Sequence, residues 1–142
     1  MNSNEKRLYV ENTLSQQLIL FWLAGNTLFT ILYVNNMDVT SRLGLFVMVN
    51  IGLSLFAFLV AVRQKVYMLQ WAYLGIGLAF FQFARLFWIP EEIVNPIRLY
   101  AQVLLVSTSV AALVGSIICV QRSRERQAYI DENNIDRAIL QK

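Results

Sequence analysis

The chain has 142 residues, of which 57% are hydrophobic and only 15% carry a charge, and its formal net charge is +3. It is more apolar and less charged than an average soluble domain, so we expect a single-domain membrane protein without a nucleic-acid partner. The absence of histidine excludes bis-histidine haem, histidine-ligated zinc and catalytic pairs that need an imidazole, and the single cysteine excludes an internal disulfide.

Four apolar runs follow a polar N-terminal segment, residues 1–13. A hydrocarbon core of roughly 30 Å needs about 20 apolar residues in a helix, and each run is long enough. Because lipid offers no hydrogen-bond partners, each run must satisfy its own backbone groups as a helix. The predicted spans are about 14–34, 43–62, 66–89 and 97–120, and residues 121–142 form a charged tail. The sequence therefore predicts an all-α integral membrane protein with four antiparallel transmembrane helices, short loops and a charged cytoplasmic C-terminal tail.

Lysine and arginine are unevenly distributed between the two predicted sides of the membrane. The N-terminal segment, the turn at 63–65 and the tail hold most of the 12 cations of the chain: Lys6, Arg7, Arg63, Lys65, Arg122, Arg124, Arg126, Arg137 and Lys142. The other two loops hold only Arg42 and Arg98. Since cytoplasmic loops carry the excess of positive charge, we expect both termini in the cytoplasm and the protein in a plasma membrane, such as a bacterial inner membrane.

The third run differs from the others because it contains a full charge, Arg85. Gln82 lies one turn before it, and the antiparallel spans place Asn26, Asn50 and Gln102 in the same outer leaflet. In one interpretation the amides are interhelical hydrogen-bonding groups and Arg85 extends to the interface. In the other, Arg85 is the charge of an outward-facing pocket for a lipid phosphate, a ligand or a partner's acid, and the amides are orienting donors.

Small residues recur at helical spacing in the third and fourth runs. Ser107, Ala111 and Gly115 follow one another every four residues in the fourth run, and Gly75 and Ala79 do so in the third. Such patterns let helix backbones approach closely in a membrane, so we expect these residues at helix contacts.

Three arginines follow the fourth run at alternate positions, Arg122, Arg124 and Arg126. Basic residues directly beyond a cytoplasmic helix end attract anionic headgroups, which predicts headgroup binding by these side chains.

The sequence predicts no catalytic site, no metal site and no cofactor, because the runs contain neither paired acids nor histidine. We therefore expect a non-catalytic multi-pass protein that is a small subunit or accessory of a larger membrane complex. Its expected partners are membrane lipids and either other membrane-protein subunits or further copies of itself. The alternative is a small oligomeric channel or transporter for an anionic or lipid-like substrate.

Overall fold

The computed structural model describes residues 8–135, which are folded into four long α-helices and one short 3-10 helix. The α-helices are α1 (Thr13–Asn35), α2 (Ser41–Lys65), α3 (Leu69–Ala84) and α4 (Ile97–Glu132), and the 3-10 helix is Arg85–Trp88. The all-helical prediction is confirmed. Three of the helices, α1, α2 and α4, are long and apolar enough to cross a membrane, which indicates a membrane protein, whereas α3 is shorter.

Successive helices run in opposite directions. The backbone N–H of Asn12, before α1, donates to the carbonyl of Lys65 at the end of α2 over 2.9 Å. The Ser109 hydroxyl of α4 donates to the Ala79 carbonyl of α3 over 2.7 Å. We call the end of the bundle formed by residues 8–12, 66–68 and 121–135 the terminal end, and the opposite end, formed by residues 36–40 and 89–96, the loop end. Helix α4 packs closely on α1 and α3, whereas α2 and α3 pack less closely.

The core consists of two clusters along the bundle axis. The cluster toward the terminal end contains Ile19, Trp22, Ala57, Val60, Ala61, Leu78, Ala79 and Ala112. The cluster toward the loop end contains Phe29, Ile89, Ile93, Ala101 and Leu105. Large apolar side chains also cover the outside of the helices, among them Leu45, Met48, Leu55, Phe80, Phe87 and Val103. An outer surface of this kind suits contact with lipid hydrocarbon, whereas its exposure to water would be unfavourable.

The connection between α2 and α3 lies later in the chain than predicted. Residues 63–65 belong to α2, and the turn is formed by residues 66–68, which we had predicted to be helical. Tyr67 has a φ of 61°, a conformation that ends a right-handed helix. Contacts with distant residues hold it there, since its hydroxyl donates to the Val10 carbonyl over 2.8 Å and its carbonyl accepts from Ser123 Oγ over 3.1 Å.

The third predicted span is not α-helical to its end: α3 ends at Ala84, and the 3-10 helix Arg85–Trp88 follows it. Ile89 has extended backbone angles, φ −67° and ψ 121°, as expected of a residue that precedes proline. The chain therefore leaves the helix before Pro90, and the tighter 3-10 geometry forms its last turn.

Helix α4 continues well beyond residue 120, where the predicted fourth span ends. It runs to Glu132, and Asn133 follows as its C-cap. The first part of the predicted charged tail is thus a continuous extension of a core helix. Residues 136–142 of the predicted tail lie outside the described part of the chain.

Candidate functional site

Arg85 is the first residue of the 3-10 helix, and only 6% of it is exposed. Its Nη1 donates to Asn26 Oδ1 over 2.5 Å and to Gln82 Oε1 over 3.2 Å. Its Nη2 donates to Asn50 Oδ1 over 2.9 Å. Three amide oxygens, one each from α1, α2 and α3, therefore accept from one guanidinium, whose planar set of donors suits such a task.

The hydrogen bonds continue from this guanidinium to the fourth helix. Gln82 Nε2 donates to Thr108 Oγ1 over 3.1 Å, and Thr108 Oγ1 donates to the Leu104 carbonyl over 2.7 Å. Asn26 Nδ2 donates to Ser54 Oγ over 3.0 Å. A single polar network therefore connects all four α-helices inside the bundle. Within a membrane, interhelical bonds of this kind contribute about 0.6–2 kcal/mol each.

Aromatic rings surround the same guanidinium. Its central carbon lies 4.3 Å from the ring centroid of Phe29, 5.7 Å from that of Phe46 and 5.6 Å from that of Phe81. The negative faces of aromatic rings attract a cation within about 6 Å, and more strongly where water is excluded. The rings and the amides together stabilise the charge without neutralising it.

No carboxylate lies within salt-bridge distance of Arg85 among residues 8–135. Lys65 and Glu11 do form a salt bridge at 2.9 Å, but it lies at the terminal end of the bundle. The sequence also places no Asp or Glu between residues 12 and 37, 39 and 90, or 93 and 124. The site is therefore a buried positive charge whose hydrogen-bond partners are neutral.

The guanidinium lies deeper than the backbone of Arg85. Two of its acceptors, Asn26 and Asn50, are each nine residues from the loop end of their helices, at Asn35 and Ser41. At 1.5 Å per residue these acceptors lie about 13 Å below the ends of α1 and α2, near the middle of both helices. The side chain points toward the centre of the bundle, whereas a snorkelling arginine would extend toward the interface.

A cavity of about 270 Å³ opens beside Arg85, between α1, α2 and the end of α3. Arg85 and Asn50 supply its polar lining, and the rest is aromatic and aliphatic: Phe29, Tyr33, Phe46, Val49, Leu53, Phe81 and Trp88. A small group that enters this cavity meets one positive charge and the Asn50 amide in a mainly apolar wall.

Comparison with protein-family models, with curated proteins and with solved structures found no match for this chain. Among the residues that the structure describes, no group of His, Cys, Asp and Glu side chains is arranged to hold a metal ion.

Four of the five predicted polar residues lie together in the structure. Arg85, Gln82, Asn26 and Asn50 meet, but the three amides accept from the arginine instead of serving as donors for a ligand. Gln102 is half-buried on α4 and makes no hydrogen bond to this network in the described part of the chain. Helix α4 contributes Thr108 to the network instead. The only sign of this role in the sequence was a polar residue inside a predicted span.

Only some of the predicted small residues are buried between helices. Gly115 and Gly75 are buried, and Ala79 is 2% exposed. Ser107 is exposed and Ala111 is half-buried. The buried face of α4 is rotated from the predicted one, and it contains Leu105, Thr108, Ala112, Gly115, Ser116 and Cys119.

The three arginines after the membrane part of α4 contact protein groups at the terminal end. Arg122 Nη1 donates to Asn12 Oδ1 over 2.9 Å, and Arg124 Nη2 donates to the Tyr73 hydroxyl over 3.1 Å. The guanidinium of Arg126 lies 5.3 Å from the ring centroid of Tyr67. Arg124 is exposed and the other two are half-buried, so headgroup binding by these side chains stays a prediction.

Proposed function

We propose that all four helices cross the membrane, the third as a combined element of α3 and the 3-10 helix. The 16 residues of α3 rise about 24 Å, and the 4 residues of the 3-10 helix add about 8 Å. The sum of about 32 Å matches a hydrocarbon core of roughly 30 Å. The uneven distribution of Lys and Arg supports a cytoplasmic location for the terminal end, and hence for both termini.

This topology is tested with single cysteines at exposed positions, in a chain whose Cys119 is replaced by alanine. Val39 and Asn95 are exposed at the loop end, and Val66 is exposed at the terminal end. Cysteines at Val39 and Asn95 should react with an impermeant thiol reagent in intact cells, and a cysteine at Val66 only after permeabilisation. The reverse pattern would invert the proposed orientation, and labelling of all three in intact cells would contradict four spans.

We further propose that the protein is a non-catalytic subunit or accessory of a larger membrane complex, and that it receives an anionic group at Arg85. The observation that carries this proposal is the buried guanidinium, which has only neutral partners and a cavity beside it. A charged side chain at the centre of a membrane helix costs about 3 kcal/mol on insertion scales. Amide dipoles offset part of this cost, and an anion in the cavity would offset more.

The test is to purify the protein in mild detergent and to identify co-purified chains and anionic lipids by mass spectrometry. Arg85→Leu should lose the anionic companion, and Arg85→Lys should lose part of it, because an ammonium cannot reproduce the planar set of donors. Gln82→Leu should resemble the weaker defect. The matched control is Arg42→Leu, which removes an exposed cation at the loop end and should retain the companion.

Unchanged retention in Arg85→Leu would refute the anion site. A foreign chain at a fixed ratio to this one would support the subunit function. A pure homo-oligomer would instead support the small channel or transporter.

A further inference from the structure

We propose that the anionic group at Arg85 is a carboxylate on a transmembrane helix of a different protein, which packs against the cleft between α2 and α3. This inference rests on the proposed function, and it names the chemistry of the partner. Ionisable residues inside membranes pair with one another, and the partner of this arginine is not found in the described bundle.

The depth of the guanidinium argues against a lipid phosphate. Its acceptors Asn26 and Asn50 lie about 13 Å inside the loop ends of α1 and α2. Lipid phosphates lie at the interface, outside the hydrocarbon core, so a phosphate would have to sink well into the bilayer to reach it. A carboxylate on a transmembrane helix is already held at this depth by its own backbone.

The size of the cavity fits a single side chain. Its volume is about 270 Å³, which is at the lower limit of the roughly 300–1,000 Å³ of small-molecule sites and leaves room for one entering side chain. The walls are apolar apart from Arg85 and Asn50, so they suit the methylene groups of a glutamate whose carboxylate faces the guanidinium.

The entrance of the cavity lies on the surface that would face lipid. Trp88 and Val49 line the cavity, and they are 71% and 51% exposed. The cavity lies where α2 and α3 pack less closely than the other neighbouring helices. An apolar helix can therefore approach from the bilayer and insert one side chain between α2 and α3.

A second copy of this chain does not supply the acid. Its nine Asp and Glu residues all lie outside the predicted spans: Glu5, Glu11, Asp38, Glu91, Glu92, Glu125, Asp131, Glu132 and Asp136. A copy inserted in the same way would therefore present no acid from its predicted spans at the depth of Arg85. The charge at Arg85 therefore favours a hetero-oligomer over a homo-oligomer.

The test uses synthetic transmembrane helices of leucine and alanine that carry one glutamate at the centre, with a glutamine peptide as the matched probe. The labelled full-length protein is reconstituted in phosphatidylcholine bilayers at pH 8, and binding is measured by energy transfer. The glutamate peptide should bind the wild-type protein about tenfold more tightly than the glutamine peptide, which corresponds to about 1.4 kcal/mol. A peptide with the glutamate moved to its outer end should bind no better than the glutamine peptide.

In Arg85→Leu the preference for the central glutamate should disappear, while Arg42→Leu should keep it. Equal binding of the glutamate and glutamine peptides to the wild-type protein would overturn the inference, and this comparison needs no variant to fold. A third outcome is that phosphatidylglycerol binds only when Arg85 is present, and that the glutamate peptide is not preferred. This result would support an anion site at Arg85 but assign it to lipid. Absence of both effects would overturn the anion site as well.

Discussion

Replacement of Gly115 by alanine should force α1 and α4 apart. A β-carbon at this position would lie 2.8 Å from Leu18 Cβ and 3.4 Å from the Ser15 carbonyl oxygen of α1. Leu18 Cβ is fixed to its backbone, so no rotamer change relieves the contact. Carbon atoms pack at about 3.5–4.0 Å, which means that the two backbones must separate by about 0.7 Å or more. Overpacking of this kind costs about 1–3 kcal/mol.

The measurement is reversible unfolding in mild detergent, followed by circular dichroism during titration with a denaturing detergent. Gly77→Ala is the matched control, because Gly77 also lies within an α-helix and nothing lies within 4 Å of the added β-carbon. Both changes gain about 1 kcal/mol or less of helix propensity. Since that gain is common to both, the difference in unfolding free energy between the two variants reports the collision alone.

We expect Gly115→Ala to be less stable than Gly77→Ala by about 1–3 kcal/mol. Leu18→Gly removes the opposing β-carbon, so in that background the effect of Gly115→Ala should shrink by about 1 kcal/mol or more. Equal stability of the two alanine variants, or strict additivity with Leu18→Gly, would refute the close packing of α1 on α4.

Two further substitutions test the interior of the bundle. Gly75→Ala should destabilise by less than Gly115→Ala, about 1 kcal/mol, because the added methyl meets the Ser116 hydroxyl and the Gln64 amide. Both are side-chain ends that can move away at the cost of the hydrogen bond between them. The same unfolding titration checks it, and Ser116→Ala should relieve only part of the effect, because the Gln64 amide remains. Thr108→Val preserves shape but leaves Gln82 Nε2 without its acceptor, so it should cost about 1–2 kcal/mol. Thr27→Val, which removes a hydroxyl bonded only within its own exposed helix turn, should be nearly neutral, and equal losses would contradict the network.

The sequence predicts the helical class, both ends of α1 and the start of α4, because lipid leaves the backbone few alternatives. It does not predict the turn at 66–68, since these three residues are apolar and begin the third run, whereas the polar residues 63–65 before them continue α2. What ends the helix there is the conformation of Tyr67, which distant residues hold through the Val10 carbonyl and the Ser123 hydroxyl. Such contacts have no local signature.

The candidate site was predictable as a group of residues but not as a geometry. The depth of each polar residue follows from counting along antiparallel spans, and three of the four predicted amides do meet Arg85. The rotation of a helix about its own axis is set by packing. This rotation decides whether the fourth amide, Gln102, reaches Arg85. Gln102 and Thr108 are six residues apart on α4, or about 240° around the helix, so they cannot face the same neighbour. Thr108 is the one that faces Gln82.

The order of residues in the network has a consequence for how the chain enters the membrane. Asn26 and Asn50 precede Arg85, so the two helices that carry these acceptors are synthesised before the charged helix. Chains fold from the N-terminus during synthesis. In the four-span topology proposed above, the third helix would meet two prepared acceptors as it leaves the translocon, and it would bring the third, Gln82, with it. In that topology, a chain with its first helix deleted would present the same arginine to lipid with one partner missing, and insertion of the third helix would depend on residues synthesised well before it.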